Sequence, residues 1–137
     1  MKTNLIRKIK RTQHKNIAYA QDLILEEVYK TIPKAILHGG TAIWRCYQGN
    51  RFSEDLDFII PKNIPTIEEL FNNFQTKGFK IIKKRITENS IYSTLELNRT
   101  QVRFEAIFGV KKFTLIDYET LNGQTIPIYS LTPTEVI

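Results

Sequence analysis

Cysteine occurs once in these 137 residues, as Cys46, which excludes an internal disulfide and agrees with a reducing cytoplasm. Cys46 has no Cys or His close by in sequence, so it reads as a packing residue rather than a metal ligand. No apolar run approaches the roughly 20 residues needed to cross a bilayer, which excludes a helical membrane span. The basic N-terminus is not followed by an apolar signal core, so export is not expected. Internal repeats and low-complexity tracts are absent. Acids are missing from residues 1–15, which hold Lys2, Arg7, Lys8, Lys10, Arg11 and Lys15. The whole net charge of +6 therefore sits in that arm, and the remainder of the chain is balanced.

What is present fits one soluble domain spanning 1–137. A hydrophobic fraction of 42% and a charged fraction of 25% are ordinary for a globular protein, and the length suffices for one core. The basic arm favours phosphate-rich partners through counterion release; the alternative is a solvated helix face or loose terminus.

Ile17, Ala18, Ala20, Leu23, Ile24 and Val28 recur at helical spacing, predicting a helix over about 14–31 that Pro33 ends. Ala35–His38 reads as a short buried strand closed by two glycines, and a second helix is expected over about 41–48. Leu56–Ile60 is the next strand. Thr66-Ile67-Glu68-Glu69 reads as a capping box starting a helix with Leu70, Phe71 and Phe74 on its apolar face, closed by Gly78. Three β runs follow, Phe79–Ile86, Ser90–Leu97 and Gln101–Phe108, with a tight turn at Asn98-Arg99-Thr100. A last hairpin over about 114–129 carries Asn122-Gly123 as a type I′ turn signal. Thr132-Pro133-Thr134-Glu135 reads as a helix start followed by only two residues, so a further helical part is expected beyond it.

Asp55 and Asp57 stand one residue apart at the mouth of a strand, and period-two geometry sends both carboxylates to one face. Carboxylates so close repel, and a hard divalent cation, Mg²⁺ or Mn²⁺, relieves that repulsion together with substrate phosphates. A third acid is expected from a neighbouring strand. Glu105, set in an otherwise apolar run, is the better candidate; Glu96, between Leu95 and Leu97, is the runner-up. Gly39-Gly40-Thr41 lies at a strand-to-helix turn, where exposed amides and a hydroxyl can cradle phosphate. Arg51 and Ser53 could hold triphosphate oxygens. Each piece has a plainer reading: a turn, a surface acid pair, Arg51 against Glu54, or Glu105 neutralising Arg103.

Leu37-His38-Gly39-Gly40-Thr41-Ala42-Ile43, then Tyr47, then Arg51-Phe52-Ser53-Glu54-Asp55-Leu56-Asp57-Phe58, resembles the signature of the AbiEii-type nucleotidyltransferases. These belong to the DNA polymerase β-like superfamily and include toxins of toxin–antitoxin systems. The resemblance implies an α+β fold, a mixed β-sheet flanked by helices. It implies nucleotide phosphates at Gly39, Gly40 and Thr41, and metals at Asp55, Asp57 and Glu105. It further implies a helical second half that completes the nucleotide pocket and that this sequence does not include.

Two functions follow. One is metal-dependent transfer of a nucleoside monophosphate from an NTP to a hydroxyl of RNA, such as tRNA, or of protein, in a toxin role with an antitoxin partner. The other is a catalytically incomplete module that binds nucleotide or RNA, or docks a homodimer mate or a second chain supplying the missing helices.

Overall fold

The computed structural model describes residues 12–39, 54–109 and 114–130. The expected helix at 41–48 and the terminal capping box lie outside them, as do Gly40, Thr41, Arg51 and Ser53 of the expected site. Helix α1 spans Thr12–Thr31 and α2 spans Ile64–Thr76. Strands are β1 (Ile36–His38), β2 (Leu56–Ile60), β3 (Lys80–Ile86), β4 (Ser90–Leu97), β5 (Thr100–Phe108), β6 (Thr114–Glu119) and β7 (Thr125–Ser130). They form one mixed sheet in the order β3-β4-β5-β2-β1-β7-β6. The β2–β5 and β1–β7 pairs are parallel and the rest antiparallel. The expected α+β class is what the chain adopts.

An aromatic layer fixes which way each strand faces. Phe58 of β2 and Phe104 of β5 are fully buried, with ring centroids 5.7 Å apart. Phe71 and Phe74 of α2 meet Phe104 edge-on at 6.0 and 5.4 Å, and Tyr29 of α1 meets Phe58 at 6.1 Å. Both helices thus cover the same face of the sheet. Because strand side chains alternate, burying Phe58 and Phe104 turns Asp57 and Glu105 to the opposite face. The core under the sheet orients the acids above it.

Helix α1 also fastens the far end of the chain. The Asp22 carboxylate accepts from the Tyr118 hydroxyl at 3.1 Å and from the Leu121 amide at 2.8 Å. The Tyr29 hydroxyl donates to the Tyr129 carbonyl at 3.0 Å.

Two local expectations are corrected. Helix α2 begins at Ile64, before Thr66: Asn63 is its N-cap, accepting from the Thr66 amide at 3.1 Å, and Pro65 fills the first turn, where its missing N–H is no loss. The β6–β7 turn is not type I′, which needs positive φ at both central residues. Only Gly123 has it there (φ 87), and its amide bonds the Thr120 carbonyl at 3.1 Å, so the turn is Thr120–Gly123 with glycine last. The Asn98-Arg99 turn between Leu97 and Thr100 does have two positive φ angles, 50 and 67. Gly78, at φ 106, closes α2 as expected, with the Phe79 amide reaching back to the Phe74 carbonyl at 3.1 Å.

Candidate functional site

Strand register brings four side chains of the face opposite the helices into one row. His38 of β1 is opposite Asp57 of β2, Asp57 is level with Glu105 of β5, and Glu105 is opposite Tyr92 of β4. A cavity of about 160 Å³ lies among them, bounded also by Ser90, Ile91 and Ile107. Glu105 is the acid that meets Asp57. Glu96 pairs with Gln101 and Lys80 near the end of the β4–β5 hairpin, away from this row.

The two expected aspartates have different surroundings. Asp55 is held by Arg103 in a two-pronged ion pair, Nε to Oδ1 and Nη2 to Oδ2, each 2.9 Å. The bond to Asp55 in turn raises the Arg103 pKa. No described residue makes a salt bridge or hydrogen bond with the side chain of Asp57 or of Glu105. Burial first, then the charges of Glu105 and Asp55, push the Asp57 carboxyl up to about 6, with Arg103 opposing. Asp57 is therefore a half-buried acid whose negative charge is poorly compensated.

A hard divalent cation suits such a pair. Two carboxylates on adjacent strands, facing one cavity and neither in an ion pair with a described residue, gain by sharing a cation. Among the described residues, however, no three His, Cys, Asp or Glu side chains converge as a metal-binding group. Asp55 could join only by leaving Arg103.

Gly39 closes β1 beside the acids with φ 79, a conformation that L side chains rarely adopt. A Cβ there would lie 2.7 Å from Asp57 Oδ2. Glycine is thus required twice at this position: by the turn, and by the carboxylate packed against it.

His38 is the site residue that sequence reasoning missed. Among the described residues its buried Nε2 has no hydrogen-bond partner, and burial lowers its pKa against a bond with the Phe58 backbone. Its place immediately before Gly39 was a usable signal for lying near the glycine turn, while its level with Asp57 comes from the β1–β2 register.

The family model described as nucleotidyl transferase AbiEii toxin, type IV toxin–antitoxin system, matches residues 24–133, more than three quarters of the chain. Among solved structures, JHP933 from Helicobacter pylori is similar at 18% identity and a TM-score of 0.64, over 93% of this chain and 56% of that one. An H. pylori protein described as a candidate nucleotidyltransferase is similar at 16% identity and a TM-score of 0.57, over 93% and 57%. The chain thus spans little more than half the length of either. Among curated proteins none matches.

Proposed function

Because this chain belongs to the AbiEii nucleotidyl transferase toxin family, we propose that it moves a nucleoside monophosphate from an NTP to a hydroxyl of RNA or protein, as the toxin of a type IV system. The observation that carries this reading is the level pairing of Asp57 with Glu105, neither acid in an ion pair with a described residue, beside the glycine turn. Asp57 and Glu105 would hold Mg²⁺ or Mn²⁺, and Asp55 would contribute after exchanging its guanidinium partner. When bound, the cation supplies charge neutralisation at the phosphates of the NTP.

The chain's own residues have separable tasks. Gly39, having no Cβ, lets backbone and phosphate approach Asp57 closely, and Gly40 and Thr41 would bind the same phosphates. Arg51 and Ser53 would bind triphosphate oxygens. Glu105, on the side of Asp57 away from the glycine turn, faces the place where an acceptor hydroxyl would arrive and can accept its proton. Positioning and charge placement, rather than covalent chemistry, do the work.

The test is incubation of the full chain with labelled NTPs, Mg²⁺ and total RNA. Label should enter the RNA or the protein fraction, and fall at least roughly 100-fold, about 2.7 kcal/mol, in Asp57→Asn or Glu105→Gln. Transfer that persists in both variants would sink the reading. Nucleotide binding with no transfer by the unmodified chain would favour an incomplete module that needs a second chain, and a helical partner chain restoring transfer would support that reading.

A further inference from the structure

One of the three expected acids is occupied by a base of the protein itself. Asp55 stands just before β2 begins, outside the strand ladder, whereas Arg103 is fixed within β5, on the same face as Glu105. Two hydrogen bonds of 2.9 Å each join the pair, in the fork geometry that suits a guanidinium to a carboxylate. They use Nε and Nη2, which leaves Nη1 to make a first contact elsewhere before Asp55 is released. The pair is wet, with the Arg103 side chain 60% exposed and that of Asp55 32%. Glu105 and Glu54 also act on the Arg103 charge. Arg103 thus already supplies positive charge to these acids, as a divalent ion would.

We propose that this ion pair is a latch: Asp55 joins a divalent cation only when Arg103 passes to a phosphate group, so that cation and phosphate load the site cooperatively. This rests on the transferase reading above and concerns the regulation of the same site. The charges favour it. With the latch shut, a cation meets Asp57 and Glu105 alone, next to a guanidinium. With it open, three carboxylates are available, and the affinity of a hard cation follows the charge of its ligands. Phosphate is the fitting exchange partner, since the guanidinium fork matches its oxygens as well as those of a carboxylate. Exposure makes the exchange feasible, because exposed ion pairs contribute little in net terms, whereas breaking a buried pair is strongly unfavourable. Reciprocity follows: whatever factor the phosphate adds to cation binding, the cation adds to phosphate binding.

The experiment measures Mn²⁺ binding to the full chain from the electron paramagnetic resonance signal of the free ion. It is run at constant ionic strength with and without sulfate, a tetrahedral oxyanion that complexes Mn²⁺ weakly. Without sulfate, Arg103→Gln should tighten Mn²⁺ binding about fivefold. Lys83→Gln, which deletes a charge two strands and roughly 10 Å away, should change it less than about twofold. In an Asp55→Asn background, Arg103→Gln should also do less than about twofold, because the arginine acts through that carboxylate. Sulfate should tighten Mn²⁺ binding by up to about fivefold in the wild type and in Lys83→Gln, and not in Arg103→Gln. Mn²⁺ binding that is unchanged or weaker in Arg103→Gln would make the pair a structural strut and overturn the proposal. An equal gain in the Asp55→Asn background, or a sulfate effect that survives loss of Arg103, would overturn it too. Titrations of a non-hydrolysable NTP analogue and of a 5′-phosphorylated oligoribonucleotide then identify the phosphate. The ligand that Mn²⁺ tightens by a larger factor in wild type than in Arg103→Gln supplies it; equal factors for both ligands overturn the latch. Cooperative loading without any label transfer upholds the latch and refutes the transferase reading. Label transfer with independent loading does the reverse.

Discussion

Replacing Asp57 by asparagine should make the protein more stable while removing its proposed activity. The carboxyl pKa rises from 3.8 to about 6 on folding, through burial first and then the neighbouring acids. Below pH 3.8 both folded and unfolded chains carry the proton and the shift costs nothing. Between 3.8 and 6 the unfolded chain releases its proton while the folded chain retains it, so stability falls as pH rises, and above 6 the penalty stays constant. Two pKa units correspond to a ceiling of about 3 kcal/mol, and solvent screening of this half-buried group reduces that to about 1–2 kcal/mol. Asparagine keeps the shape and deletes the charge. Thermal unfolding followed by circular dichroism without divalent ions should give the variant a Tm about 3–8 °C above wild type near pH 8. The two should coincide near pH 3. Millimolar Mg²⁺ should raise the wild-type Tm near pH 8 and leave the variant almost unmoved. A variant that melts at or below wild type near pH 8 without metal would refute the uncompensated-charge argument.

Gly39→Ala should destabilise by about 1–2 kcal/mol from the positive φ alone, and should reduce nucleotide transfer further because its Cβ displaces the Asp57 carboxylate; denaturant unfolding and the label-transfer assay, run side by side, separate the two effects. Phe104→Ala should cost about 3–5 kcal/mol in urea unfolding, since three other aromatic rings pack on Phe104, whereas exposed Ile107→Ala on the same strand should change little.

Strand parity made much of this legible in the sequence. Ile91, Ser93 and Leu95 are buried as their alternation required, and Phe58 and Phe104 mark the inward face of the two site strands. That Glu105 rather than Glu96 lies level with Asp57 followed from its position in an apolar run, although the parallel β2–β5 pairing that creates the contact joins residues far apart in sequence. The Asp55–Arg103 clamp was not legible, because it depends on that long-range register and on an arginine one residue ahead of Phe104. Turn chemistry misled where two signals competed. Asn63-Ile64-Pro65 offered a cap earlier than Thr66 did, and Asn122 kept an ordinary φ, with its side chain accepting from the Gln124 amide at 3.2 Å.

The grip of Asp22 and Tyr29 on residues 118–129 bears on how the protein is born. Strand β1 receives its parallel neighbour only from β7, so the bend at Gly39 stays flanked on one side alone until residues 125–130 have left the ribosome. A nascent chain therefore carries its acids well before it can set them rigidly beside that bend, and the described part of the machinery comes together only once β7 has emerged.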